Sequence, residues 1–180
     1  MSGPRVQVAV VMRRERLDNP WQSHRWALHA VELDDSPAQP PTLLQDDDRC
    51  QLWRHAGLSV ALHRQDAEGY YLNLTTPAPC WFVMWRVDEE PQDGHEPLAR
   101  PQIVTLSYHD AGRWLDAQEA VEQVPAAPAT LQWLAEFTEA HYVPEEKKRK
   151  RPVSFVPLQD RFGQPASVST DKARKGGGHG

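Results

Sequence analysis

The chain has 180 residues, of which 39% are hydrophobic, and its 25 acidic and 20 basic side chains give a formal net charge of −5. This length is enough for one domain with a substantial core and an additional tail. No apolar run approaches the ~18 residues of a membrane helix, and the N-terminus lacks the features of a signal peptide. We therefore expect a cytoplasmic protein without a membrane span.

Charge is distributed unevenly along the chain. Residues 145–180 hold nine basic and four acidic side chains, whereas residues 1–144 carry a net charge of −10 and contain no lysine. We call residues 1–144 the body; because it is acidic, it repels phosphate groups. We therefore expect no nucleic-acid binding by the body, which leaves the basic tail as the only candidate for such binding.

β-branched and apolar residues with period-two alternation predict about seven short strands. The strands are expected at residues 5–12, 25–33, 51–55, 58–65, 67–74, 80–87 and 101–108, with the first of them central in its sheet. Residues 34–49, rich in proline and aspartate, predict a mobile loop, and the pair at residues 56–57 predicts a hairpin turn. This spacing favours an antiparallel β-sandwich or a partly open barrel.

Two helices are expected after the strands. The first spans residues 109–124 with Asp110 as its N-cap, and the second spans about 128–143 with Pro128 at its first position. The fold class is therefore mainly β (α+β) with one or two C-terminal helices. We expect residues 1–144 to form this globular domain and the basic segment 145–180 to be disordered.

The densest stretch of the chain is RRERLDNPWQSHRW, residues 13–26. Its DNP triplet has the chemistry of a turn, because Asx side chains accept hydrogen bonds from nearby backbone amides and proline fixes φ. Leu17 and Trp21 are expected to pack beneath that turn. We assign no catalytic base or nucleophile to the stretch, which leaves two interpretations: a β-arch whose arginines pair with the acidic body, or a docking surface.

Sequence motifs for catalysis, metal binding and nucleotide binding are absent. No GxGxxG or GxxxxGK[ST] loop follows a strand, and the eight histidines show no zinc-ligand spacing. Cys50 and Cys80 are too few for a disulfide framework and are expected to be reduced, buried thiols. We therefore expect no catalytic residues, no metal and no cofactor.

Seven tryptophans are many for a chain of this size. Trp81 and Trp85 share strand parity with Val83, so they are expected on one face, and most of the seven should build the core. Tryptophan and arginine also dominate the hot spots of protein interfaces. We expect one or two tryptophans to be exposed for a partner.

Several segments together resemble a bacterial family of unknown function, domain-of-unknown-function family 3305. They are VAVVMRRERLDNPWQSHRW, EGYYLNLTTPAP with the following WFVMWR, TLSYHDAGRWLDAQEAVEQVP, and LAEFTEAHYVPEEKKRKRP. Members of that family are encoded near molybdenum-dependent formate dehydrogenase genes, and some are labelled molybdopterin-guanine dinucleotide biosynthesis proteins. The resemblance implies a role in a molybdoenzyme system.

The biosynthetic label implies a nucleotidyltransferase, whose first strand should lead into a glycine-rich, lysine-bearing loop that cradles phosphates. Here no glycine stands between Gly3 and Gly57, and no lysine precedes Lys147. The predicted antiparallel body is also unlike a doubly wound sheet. We therefore expect the genomic association to hold without that enzymatic activity.

These observations favour a non-enzymatic accessory or maturation protein that binds a protein partner, such as a formate dehydrogenase subunit or maturation factor. The alternative is a small-ligand or cofactor-binding module for an anionic ligand such as a pterin nucleotide, held by arginines such as Arg13, Arg25 and Arg113. The predicted partner-binding residues are Arg13, Arg16, Trp21, Arg25, Arg113 and Trp114. The predicted docking residues of the tail are Lys147, Lys148, Arg149, Lys150, Arg151 and Phe155.

Overall fold

A computed structural model describes residues 3–92, 94 and 96–145. The first four strands form one antiparallel sheet in the order β2-β1-β4-β3. Their bounds are β1 (Arg5–Arg16), β2 (His24–Leu33), β3 (Thr42–Asp46) and β4 (Cys50–Ala61). The expectation that the first strand is central is confirmed, since β1 pairs with both β2 and β4.

The second sheet is also antiparallel and has the order β6-β5-β7. Its strands are β5 (Cys80–Val87), β6 (Ala99–Thr105) and β7 (Ala120–Pro125), and the helices are α1 (Ala67–Leu74), α2 (Tyr108–Asp116) and α3 (Pro128–His141), with a 3₁₀ turn at Arg64–Asp66. The predicted mainly β fold of about seven antiparallel strands is confirmed within the described part of the chain. Neither sheet closes into a barrel.

One apolar core joins the two sheets. On β1, Val8, Val10 and Met12 point into it, and on β5 Trp81 and Val83 do the same, all nearly or fully buried. Trp85 packs against the same cluster, which confirms the predicted shared face. The opposite face of β5 packs against α2 and β7. Because β5 is covered on both faces, its sequence is apolar without alternation.

The hairpin turn predicted at residues 56–57 is wrong, because β4 runs through them without a break. Val8 pairs with Leu58 and Val10 with His55, so one residue of β1 faces two of β4 in a β-bulge. Gly57 has a φ of +85° there. A Cβ at this position would lie 2.4 Å from the Ala38 Cα, so the bulge requires glycine.

The strand predicted over residues 67–74 is wrong, because that segment is α1. Its buried residues Tyr70 and Asn73 are three apart, which places them on one face of a helix. Gly69 lies against the cap of α2, where a Cβ would stand 2.2 Å from the Ser107 Oγ. Tertiary contacts therefore override the period-two pattern of Tyr70, Leu72 and Leu74.

Two strands were not predicted. The loop expected over residues 34–49 contains β3, a short edge strand whose residues are all exposed and which therefore has no alternation to detect. The helix predicted over 109–124 ends at Asp116, after which Gln118 adopts a φ of +63° and β7 begins. The predicted N-cap is also wrong, since Ser107 caps α2 by accepting from the Asp110 backbone amide.

The C-terminal helix is confirmed as α3, with Pro128 in its first turn. Pro128 is favoured there because its missing amide hydrogen has no intrahelical partner at that position. The predicted tail beyond residue 145 lies outside the described residues. Among the residues that are described, no helix is both long and apolar enough to cross a membrane.

Candidate functional site

The connection between β1 and β2 is a structured turn, which we call the arch (residues 17–23). The Leu17 amide donates to the Ser23 carbonyl at 2.9 Å and closes its base. The Trp21 amide donates to the Asn19 Oδ1 at 2.9 Å, so the predicted Asx turn chemistry is confirmed. These bonds give the arch a defined backbone conformation.

Trp21 stands at the outer part of the arch with 91% of its surface exposed. The expectation that it packs beneath the turn is wrong, because nearly all of its surface is open to solvent. The other six tryptophans are buried or half-buried: Trp26, Trp53, Trp81, Trp85, Trp114 and Trp133. The expected exposed tryptophan is therefore found, and it lies in the arch.

Several arginines beside the arch are neutralised by carboxylates. Glu15 accepts from Arg25 at 2.6 Å and forms an ion pair with Arg13 at 2.8 Å. The hydrogen bond from Arg25 is the main reason that the pKa of the Glu15 carboxyl lies below its ordinary value. Arg14 pairs with Glu96 at 2.7 Å. Three of the arginines in the stretch thus have a carboxylate partner.

The other two predicted partner-binding residues lie on a different element. Arg113 and Trp114 belong to α2, which packs on α1, β5 and β7. Arg113 forms an ion pair with Asp110, one turn earlier in the same helix. The six predicted residues therefore divide into an arch group, Arg13, Arg16, Trp21 and Arg25, and a helix group, Arg113 and Trp114.

A pocket of about 450 Å³ lies between the arch and the turn that joins β3 to β4. Its two sides meet where the Arg16 amide donates to the Arg49 carbonyl at 2.8 Å. This bond brings the end of β1 beside the start of β4. The lining residues comprise three arginines, several polar side chains and few apolar ones: Arg14, Arg16, Leu17, Asn19, Ser23, His24, Asp47, Asp48, Arg49, Cys50 and Gln51.

Asp47 builds the turn on the far side of this pocket. Its Oδ1 accepts from the backbone amides of Arg49 and Cys50 at 2.9 and 2.8 Å, and its Oδ2 accepts from the Gln45 side chain at 2.7 Å. These hydrogen bonds, that of the Arg49 amide above all, lower the pKa of the Asp47 carboxyl. Asp47 therefore remains ionised and holds Arg49 in place.

The pocket also contains a serine–histidine contact that the sequence interpretation missed. The Ser23 Oγ lies 2.8 Å from the His24 Nδ1, and the Arg14 Nη2 lies 3.2 Å from the same nitrogen. Because a guanidinium only donates, Nδ1 accepts and the proton sits on Nε2. Burial, and next the charge of Arg14, lower the pKa of His24. A base whose pKa is lowered by burial and by a neighbouring cation activates a serine poorly.

The two cysteines are free thiols. Cys80 is buried as expected, whereas Cys50 is half-buried and lines the pocket. Burial, and next the charge of Asp47, raise the pKa of the Cys50 thiol. A protonated thiol is a weak nucleophile. The pocket is thus chemically suited to binding a ligand by hydrogen bonds and charge.

Within the described residues, no group of three His, Cys, Asp or Glu side chains is placed to hold a metal ion. The tail residues predicted to dock, Lys147, Lys148, Arg149, Lys150, Arg151 and Phe155, lie outside those described. Fold and site together define an open, two-sheet antiparallel β protein with a polar pocket at the end of one sheet.

The family model described as a protein of unknown function (DUF3305) matches residues 7–151. This range covers most of the chain, and the chain belongs to that family. Comparison with curated proteins and with solved structures gives no significant match.

Proposed function

We propose that this protein is a non-enzymatic accessory or maturation protein that binds a protein partner through the arch. The observation that carries the proposal is the exposure of Trp21, at 91%. An isolated tryptophan in contact with water loses the burial that its large apolar surface favours. Its placement on an ordered turn supports a role as an anchor for a partner's pocket.

The surroundings of Trp21 support the same role. Arg16 and Arg25 flank the arch on β1 and β2, and Arg25 remains more than half exposed despite its ion pair with Glu15. Arginine is enriched with tryptophan at interface hot spots. Because one backbone–backbone hydrogen bond and one bond from a backbone amide to the Asn19 side chain order the arch, little conformational entropy is lost when it binds.

The partner that we propose belongs to a formate dehydrogenase or related molybdoenzyme system, as a subunit or a maturation factor. This part of the proposal rests on the family resemblance and on the genomic association that it implies. The basic tail of residues 145–180 would engage a second, acidic surface of the partner, since its net charge of +5 is opposite to that of the body.

Affinity purification from the native host tests the proposal. The tagged full-length chain is expected to retain a formate dehydrogenase subunit or maturation factor, and Trp21→Ala is expected to lose it. The matched control is Ile103→Thr, which alters an exposed apolar residue of β6 in the other sheet. Recovery of the tagged chain alone under mild salt, or equal recovery with Trp21→Ala, would contradict the proposal.

A further inference from the structure

The pocket beside the arch contains arginines that form no ion pair with a described carboxylate. Seven of the eleven arginines in residues 1–144 form an ion pair with a described carboxylate. The four that form none with a described residue are Arg5, Arg16, Arg49 and Arg64. Two of these four, Arg16 and Arg49, line the same pocket. In a body with a net charge of −10, such a pair of cations needs an explanation.

Local structure holds the two arginines close together. They occupy neighbouring strand ends, joined by the backbone hydrogen bond from the Arg16 amide to the Arg49 carbonyl. The hydrogen bonds of Asp47 fix the turn before Arg49. Both side chains line one pocket, and an anion bound between two cations reduces their mutual repulsion. The backbone thus maintains an arrangement of charges that a bound anion would stabilise.

We propose that this pocket binds a small ligand bearing oxyanion groups, phosphate or carboxylate, through Arg16 and Arg49. A guanidinium donates two parallel hydrogen bonds to either group, which makes arginine the preferred residue for both. The pocket volume of about 450 Å³ lies within the range of small-molecule sites. This site goes beyond partner docking and differs from the arginines that the sequence suggested, two of which pair with Glu15.

The other charged groups of the pocket set its affinity. Arg14 is offset by Glu96. Asp47 accepts from three neutral donors and keeps its negative charge, so it opposes an anion. Asp48 is exposed, lines the pocket and opposes an anion. Since Arg16 and Arg49 are also exposed, solvent weakens their attraction for the ligand. We expect a dissociation constant on the order of 1 mM for a simple anion.

Nuclear magnetic resonance of the ¹⁵N-labelled full-length chain measures this binding directly. Pyrophosphate, inorganic phosphate and succinate are each titrated at constant ionic strength, with sodium chloride as the reference. Saturable shifts are expected for the Nε–H signals of Arg16 and Arg49. Tighter binding of pyrophosphate identifies a phosphate-bearing ligand, and tighter binding of succinate identifies a carboxylate. Shifts that do not saturate by about 20 mM with any of the three would overturn the proposal.

Charge variants make the test specific. Arg16→Gln and Arg49→Gln are each expected to weaken binding about tenfold, as loss of a charge-assisted hydrogen bond does. Asp48→Asn is expected to strengthen binding severalfold, because it removes a repulsive charge. Arg64→Gln changes the net charge equally outside the pocket and should leave binding unchanged. If it weakens binding as much as Arg16→Gln does, the effect is one of net charge, and the site is refuted.

The outcome is distinguishable from that of the partner proposal. Trp21 does not line the pocket, so Trp21→Ala should abolish partner capture and retain anion binding. Arg49→Gln should weaken anion binding and retain partner capture.

Discussion

The polar groups around Asn73 are buried and hydrogen-bonded, whereas most side chains of the arch are exposed. Asn73 is fully buried, donates to the carbonyls of Cys80 and Leu106 at 2.8 Å each, and accepts from the Cys80 amide at 3.1 Å. The arch instead exposes Trp21 and has beside it Arg16 and Arg49, which form no ion pair with a described carboxylate. Where every polar atom is satisfied, the chain stabilises its fold. Where groups stay exposed or unpaired, they remain available to another molecule.

The largest effect is expected at Asn73. Asn73→Ala removes three hydrogen bonds and leaves buried backbone groups of the second sheet unpaired, which should reduce the free energy of unfolding by about 4 kcal/mol. Urea denaturation followed by circular dichroism measures the change. Asn19→Ala is the matched control, since it removes one exposed turn hydrogen bond and should cost at most about 1 kcal/mol. Equal losses would contradict the contrast between the two regions.

The buried histidine His55 makes the free energy of unfolding depend on pH. It is buried where β4 meets β6, and burial, followed by the charge of Arg100, lowers its pKa to about 4, against the opposing effect of Asp88. The unfolded chain takes up a proton below about pH 6.5 while the folded chain does not. The free energy of unfolding should therefore fall by about 3 kcal/mol between pH 6.5 and 4.

Denaturation at several pH values measures this loss. His55→Phe should reduce the pH dependence within that window and leave the part due to His24, whose pKa is also lowered. His29→Gln, at an exposed position of β2, should leave the pH dependence intact. The lowered carboxyl pKa values of Glu15 and Asp47 place their titration below their ordinary range, so they contribute mainly at lower pH. An unchanged pH profile in His55→Phe would exclude this assignment.

A smaller effect is expected at Glu122, which links the two sheets. Its Oε2 accepts from the Leu28 backbone amide at 2.8 Å and from the Trp85 indole at 2.9 Å. Glu122→Ala should reduce the free energy of unfolding by about 2 kcal/mol, because both donors lose their partner. Glu119→Ala breaks an exposed ion pair with Arg86 and should reduce the free energy of unfolding much less, because solvent screens an exposed pair. Thermal unfolding of both variants separates the two cases.

The smallest effect on stability is expected at Trp21. Trp21→Ala should change the free energy of unfolding by less than about 0.5 kcal/mol, because an exposed side chain has little packing to lose. Trp81→Ala removes a buried side chain of the core and should cost about 4 kcal/mol. If both variants destabilised the chain equally, Trp21 would be a structural residue, and its role as a binding anchor would lose its main support.

Sequence patterns predicted the elements whose own residues determine them. β1, β5 and α3 were located because burial leaves an apolar run or a helical stripe in the sequence. α1 was misassigned because its helix depends on distant groups, such as the strand carbonyls that Asn73 satisfies. β3 carries no alternation because its residues are all exposed.

The candidate site was predictable only in part. The turn chemistry of the arch followed from local residue types. An exposed tryptophan was expected from the number of tryptophans in the chain, but Trp21 itself was expected to pack beneath the turn. The pairing of Arg16 with Arg49 did not, because it depends on the register of β1 against β4. The same register and the nearby carboxylates decide which arginines are neutralised, and these relations are not visible in a linear pattern.

The carboxylate of Glu122 also limits how copies of this protein associate. β2 is an edge strand, and unpaired amides on such an edge are the groups through which a foreign strand extends a sheet and begins aggregation. Near the middle of β2 the Leu28 amide already donates to Glu122. An incoming backbone would have to displace a charged acceptor at that point. The β2 edge is therefore protected from strand addition at that point.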